Sequence, residues 1–237
     1  MSVRILCLIV GIVIICFLLG GGRPAAIITI VGAGTIITAF FMGPLIDFFN
    51  NKVSIPFLNK ANKGDSKMDF NELNKKRYSC KKFSDKPVEE KKLQTILEAG
   101  RLAPTAKNLQ EQHIYVVKSE EVLDKIDSET PCRYSAPVVL VVAYNKNNVF
   151  VYPGEKRNSG IEDATIVATH MMLAAASEGV DSCWINYFDP DKMAVTLGLP
   201  ENEEILMLLD LGYASKGTKP LPNHTNRKEL GETVTYL

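Results

Sequence analysis

At 237 residues and 46% apolar composition, the chain can hold one sizeable domain plus a smaller segment. Its formal charge is zero but unevenly placed: residues 1–67 carry six Lys/Arg against two Asp/Glu, and residues 68–237 carry 21 against 25. A mildly acidic globular part argues against nucleic acid as a partner, because binding a phosphate backbone needs a concentrated basic face.

The first predicted elements are apolar. Ile5 to Leu19 is an uncharged apolar run, and after Gly20-Gly21-Gly22-Arg23-Pro24 a second run extends from Ala25 to Phe49. The second is long enough for a bilayer, which needs about 20 residues. The first fits either a span or the core of a signal peptide. No small-x-small cleavage site follows it, and a second apolar run follows at once, so the expectation is a transmembrane helical hairpin with spans at about 5–21 and 25–49. Arg4 precedes it and Lys52, Lys60, Lys63 and Lys67 follow it, whereas its turn carries Arg23 alone. The positive-inside rule then puts both ends, and the domain that follows, on the cytoplasmic face of the cell membrane. Gly43-Pro44-Leu45-Ile46-Asp47-Phe48-Phe49 weakly resembles the end of the last span of YczE-like membrane proteins. Asn59–Lys67 is polar and reads as a linker, giving a membrane segment 1–58, a linker 59–67 and a globular domain 68–237.

Within that domain, Met68 to Lys76 reads as a short helix delivering Arg77 at its end, and Pro87 with Glu89 and Glu90 opens a helix to Gly100. His113 to Lys118 reads as a strand, and Ser119 as the cap of a helix to about Asp127. Pro137 to Tyr144 is a continuous apolar run, the mark of a strand buried on both faces. Residues 145–159 form a polar loop that could border an active site. Ser159-Gly160-Ile161-Glu162 has the capping-box pattern and opens a helix through about Ser177 that is apolar nearly all round, hence central, with His170 as a packed residue. Ser182 to Ile185 is a strand, Asp189-Pro190 starts a short helix, and Ile205 to Gly212 is a last core strand. This alternation predicts an α/β fold (an α+β sandwich) around a central sheet. The five cysteines show no CxxC spacing and the three histidines are far apart, so they read as free thiols and packed or surface groups, with no metal site.

The chemistry-bearing stretch is Lys75 to Gln110. Arg77-Tyr78-Ser79-Cys80-Lys81 offers two cations and a hydroxyl, a set that suits a phosphate monoester, although a basic run is commonly only a solvated face. Ala103-Pro104-Thr105-Ala106-Lys107-Asn108-Leu109-Gln110 offers two amides beside a Pro-fixed turn, able to read a ring that carries both donors and acceptors. A phosphate at one end and such a heterocycle at the other describe FMN. In order, these segments, Gly179-Val180-Asp181-Ser182-Cys183-Trp184-Ile185, Gly212-Tyr213-Ala214 and Asn226-Arg227-Lys228-Glu229-Leu230 resemble the nitroreductase family of flavoproteins.

The resemblance implies a mixed central sheet flanked by helices, in an obligate homodimer whose C-terminal segment reaches across its partner. It implies that Arg77, Ser79 and Lys81 hold the FMN phosphate, with Arg227 closing over it and Tyr78 contributing through its backbone. Thr105, Asn108 and Gln110 meet the ribityl chain or ring edge, Ile185 and Asn186 aim backbone groups at the ring, and Trp184 packs near it. NADH or NADPH is the implied transient donor and a nitroaromatic or quinone the small acceptor, in ping-pong order, with no catalytic side chain required. The chain departs from the family pattern at Lys81 (usually Arg), Glu111-Gln112 (usually Pro-Trp), Asn186-Tyr187 (usually small residues) and Ala214 (usually Pro). Three other roles stay open: another flavin chemistry such as reductive dehalogenation or flavin destruction, a membrane-tethered flavin module without turnover, or a functional membrane hairpin beside an incidental domain.

Overall fold

The computed structural model describes residues 69–237, together with Lys52 alone. The expected spans, linker and YczE-like segment lie outside the described residues, and no helix among those described is long and apolar enough to cross a membrane.

Asp69 starts the first helix, α1 (Phe70–Lys76), by accepting from the Asn71 amide; Lys75 and Lys76 suit its C-terminal dipole. Arg77 then turns the chain into an extended run. Helix α2 (Glu90–Arg101) buries Leu93 and Ile96. Strand β1 (Gln112–Val117), helix α3 (Glu120–Glu129) and strand β2 (Val138–Asn145) follow. The longest helix, α4 (Gly160–Ser177, 18 residues), precedes strand β3 (Asp181–Ile185). Helix α5 (Pro190–Leu197) is capped by Asp189, whose side chain accepts from the amides of Asp191 and Lys192, and Gly198 ends it at φ 70°. Strand β4 (Glu203–Gly212) and a single turn, α6 (Leu230–Thr233), complete the order.

The four strands run in the order β1-β2-β4-β3 and every ladder between them is antiparallel. The expected mixed sheet is corrected accordingly. The segments from β1 to β2 and from β3 to β4 return to the same end of the sheet, whereas α4 carries the chain from β2 past β4 to β3, which runs parallel to β2 without pairing with it. The parallel pairing is confined to one bridge between Ser79 and Ser182 on the outer side of β3. A bulge sets Leu206 between the pairs Val142–Met207 and Ala143–Ile205, so β4 switches faces there. Strand β2 is buried on both sides as its unbroken apolar run requires. One face packs Leu140, Val142, Leu209 and Leu211 under α2 and α4; the other packs Val139, Val141 and Leu208 under α3 and α5. The result is a three-layer α/β sandwich.

Three local expectations fail. Ser159 and Ser119 make no side-chain cap. The Ser159 hydroxyl instead donates to Glu111 Oε1 and accepts from the Phe150 amide, and Asn158 Oδ1 receives the Gly160 amide at 3.0 Å. His170 is exposed rather than packed, on a side of α4 that also leaves Ile161 and Ile166 55% and 37% accessible. Cys80 and Cys183 are free, buried thiols, and Cys132 is free and half-buried.

Candidate active site

The extended run after α1 lies along β3: the Cys80 amide donates to the Ser182 carbonyl at 2.9 Å, and Phe83 and Ser84 continue onto Tyr134 and Tyr213. This pairing places Arg77, Tyr78 and Ser79 beside the first residues of β3. A cavity of about 190 Å³ opens there, lined by Lys76, Arg77, Tyr78, Gly179, Asp181 and Ser182. Arg77 is half-buried, and its guanidinium is held below its ordinary pKa by burial and then by the field of Arg227. Neither guanidinium is paired to a carboxylate among the described residues, and an anion beside Arg77 would offset the field of Arg227. Asp181, the nearby acid, has one oxygen engaged by the Ala214 amide at 2.8 Å. Arg227 meanwhile donates to the carbonyls of His224 and Asn226, and His224 meets the Tyr78 ring edge-on at 6.3 Å.

Lys81 is placed differently from Arg77. Its amine donates to the Tyr134 hydroxyl at 3.0 Å and lies over that ring, a partner with no signal in the sequence motif. Further along β3, the Trp184 indole donates to Asn186 Oδ1 at 2.9 Å, so the Asn186 side chain is fixed and its backbone follows Ile185 out of the sheet. Arg77, Tyr78 and Ser79 thus lie beside the start of β3, with Arg227 close enough to act on Arg77, whereas Trp184, Ile185 and Asn186 follow at the far end of the same strand.

Thr105, Asn108 and Gln110 form a second constellation. The Thr105 hydroxyl accepts from the Gln110 amide at 3.0 Å, and the Gln110 side chain donates to the Asn108 carbonyl at 3.3 Å. Within this tight loop Lys107, Asn108 and Gln110 adopt left-handed backbone, at φ 53°, 56° and 53°. Three non-glycine residues held there mark stored strain, which persists only where surrounding contacts impose it. One such contact is the Ala106 amide to Asp163 Oδ1, at 2.9 Å, near the start of α4. Asp163 escaped the motif-based reading; the available signal was an acid, next to Glu162, at the start of an otherwise apolar helix.

The two constellations sit at opposite ends of α4. Asp163 anchors the loop, whereas the Arg77 cavity abuts the far end, beyond Ala176. At 1.5 Å per residue the separation along the helix is roughly 20 Å. The structure thus sets Arg77 and Ser79 along the start of β3, and keeps the Thr105–Gln110 loop apart from Arg77 within a single chain.

The fold is an α/β sandwich with a cavity lined by Arg77 at the edge of an antiparallel sheet. The Nitroreductase family model matches residues 75–130 and 131–213, and the chain belongs to that family of oxidoreductases. A nitroreductase family protein from Clostridium difficile 630 is 37% identical over 71% of this chain and 98% of its own, with a TM-score of 0.67. An FMN-dependent nitroreductase from Clostridium difficile R20291 is 27% identical over 66% of this chain and 96% of its own, with a TM-score of 0.54. An NADH dehydrogenase of Thermus thermophilus is 26% identical over 177 residues, 61% of this chain and 86% of that protein.

Proposed function

We propose that the protein is an FMN-dependent oxidoreductase that passes reducing equivalents from NADH or NADPH to a small acceptor such as a nitroaromatic or quinone. The observation that carries this is the half-buried Arg77 lining a cavity beside β3, within the field of Arg227 and with no carboxylate bonded to its guanidinium among the described residues. The residues present fit the cofactor: guanidinium donors and Ser79 for a phosphate, and the amides of Asn108 and Gln110 for a ring edge. Lys81 would have to leave Tyr134 to join them. Bound there, FMN supplies two-electron redox chemistry, and one open face serves donor and acceptor in turn, hence ping-pong order. This chain's residues bind, orient and exclude water, and the Trp184–Asn186 bond keeps the Ile185 and Asn186 backbone directed at the ring. Asn186 and the exposed Tyr187 narrow the approach, favouring compact acceptors. Anaerobic mixing with NADH or NADPH should bleach the flavin absorption band. A bound flavin that neither donor reduces would favour a binding module without turnover.

The assembly proposed is a homodimer. Its supports are the 20 Å-scale separation along α4, the uncovered Ile161 and Ile166, and a C-terminal arm from about residue 216 that exposes Leu221, Leu230, Val234 and Tyr236. A two-fold axis that sets α4 against its own copy, antiparallel, carries the Thr105–Gln110 loop of one protomer toward Arg77 of the other. The apolar runs 5–21 and 25–49 are proposed as a membrane tether with this domain on the cytoplasmic face, where NADH and NADPH reside. Protease should cut the domain only after cells are permeabilised, and cleavage in intact cells would reverse that orientation.

A further inference from the structure

Beneath the strained loop lie two carboxyl groups that no motif requires. Glu111 and Asp163 are each only 4% exposed, and each keeps one oxygen, Glu111 Oε2 and Asp163 Oδ2, with no donor. Their other oxygens are engaged: Glu111 Oε1 by the Ser159 hydroxyl at 3.2 Å, and Asp163 Oδ1 by the Ala106 amide at 2.9 Å. The same Ser159 offers its carbonyl to the Asp163 amide at 2.7 Å, which sets the two acids side by side. Two ionised carboxylates in such a position repel strongly and leave two buried acceptors unsatisfied; one proton between them removes both costs.

We propose that Glu111 and Asp163 are a carboxyl pair joined by one proton, carried on Glu111 and donated to Asp163, and that this pair positions the flavin loop Thr105–Gln110. It rests on the flavin assignment of that loop. The chain of contacts is short. The proton fixes the Asp163 carboxylate, Asp163 fixes the Ala106 amide, and Thr105 closes the loop on Gln110, holding Lys107, Asn108 and Gln110 at positive φ. At its other side the Glu111 carbonyl accepts from the Asn145 amide at 2.9 Å, so the acid itself is fixed to β2. Burial, and then Asp163, push the Glu111 carboxyl above the usual carboxylate range.

The charged and titratable groups around the pair are engaged elsewhere. From the loop, the Lys107 amine lies 4.6 Å from the Phe150 ring centre. From the 149–158 segment, Arg157 faces Glu162 and the Tyr152 ring, and the Tyr152 hydroxyl donates to Glu162 of α4. From the sheet, Tyr144 is turned toward Glu204. Among the described residues no cation is bonded to either acid, so a proton is what the pair has to share.

The pair acts through the loop, and its signature is therefore a pH dependence of flavin affinity. As pH rises through the raised Glu111 value, the second ionisation puts two negative charges together and releases the loop. The experiment measures FMN dissociation constants by flavin fluorescence from mildly acidic to alkaline pH, for the full chain and for Glu111→Gln, Asp163→Asn and Asp163→Ala. Wild-type affinity should fall roughly tenfold on the alkaline side, the scale of breaking one buried hydrogen bond. Glu111→Gln, whose amide donates at every pH, should lack that fall. Asp163→Ala should weaken binding about tenfold throughout, and Asp163→Asn, which can still accept from Ala106, should rescue it. If Asp163→Ala does not fold, the Gln and Asn variants decide the matter alone. A Glu111→Gln profile that falls as the wild type does overturns the pairing while leaving the flavin site intact. A wild type that binds no FMN at any pH overturns the flavin assignment and this proposal with it.

Discussion

Arg77 occupies the point where the chain leaves α1 and meets β3, and its half-burial makes its charge matter more than that of a surface arginine. Arg77→Ala or Arg227→Ala should weaken FMN binding by about 2–4 kcal/mol, the scale for removing one partner of a desolvated charge-assisted hydrogen bond; equilibrium dialysis of the flavin measures it, and unchanged retention would remove the phosphate assignment. Lys81→Ala should cost less, since its ammonium is engaged with Tyr134 and lacks the fork geometry. Asp210 poses the opposite case, a buried acid outside the site. It is fully inaccessible on β4, opposite Val139 and Cys183, with both oxygens unpartnered, and burial raises its pKa from 3.8 to about 9. Between those two values the folded chain holds a proton that the unfolded chain has lost, so stability falls as pH rises through that window. Asp210→Asn removes the titration. Denaturant midpoints of the variant should lie above the wild type at neutral pH, by ~2–4 kcal/mol in stability, and converge with it under acid conditions; parallel pH profiles would show that Asp210 is solvated or paired.

At the scale of elements, two glycines hold α4 close to its neighbours, with unequal tolerance. A Cβ on Gly160 would lie 2.3–2.9 Å from the Tyr144 ring, and one on Gly100 of α2 would lie 2.8–2.9 Å from the Met171 thioether. A thioether swings aside where a ring fixed in the sheet does not. Gly160→Ala should therefore destabilise by about 1–3 kcal/mol and Gly100→Ala by less, a difference thermal unfolding resolves. Most elements were legible because their apolar periods are strong: β2 from an unbroken run, α2 from Leu93 and Ile96, α5 from Asp189-Pro190. What was not legible depended on distant residues. Ser159 matches a capping pattern, but Glu111 and Phe150 take its hydroxyl, and no local rule anticipates partners 48 and 9 residues away. The antiparallel order was hidden likewise, since a helix between two strands suggests a parallel crossover and only the register distinguishes one that returns to its starting end. Arg77, Ser79 and Lys81 stand out as a motif, whereas the separation of Arg77 from the Thr105–Gln110 loop depended on where α4 runs.

For the whole molecule, that separation turns a flavin site into a question of assembly. Along the open side of α4, Ile161 and Ile166 are exposed and Thr169 and Leu173 half-buried, with His170 between them and Glu162 near one end as its charged residue. An apolar stripe of this kind on an 18-residue helix is what a self-complementary two-fold contact requires. If the cofactor is bound between protomers, weakening the contact must weaken flavin binding even where no flavin-contacting residue changes. Ile166→Glu tests this. A charge on the α4 stripe faces its own copy across the axis, so like charges meet at a desolvated contact and cost several kcal/mol. The variant should sediment as a monomer at concentrations where the wild type is a dimer, and it should lose its flavin absorption band on gel filtration. Its far-ultraviolet circular dichroism should stay that of the wild type, because Ile166 packs little of its own protomer's core. A monomeric variant that keeps its FMN would place the whole site within one chain. Arg77 and Arg227 would then bind the phosphate while the Thr105–Gln110 loop served some purpose other than reading the ring.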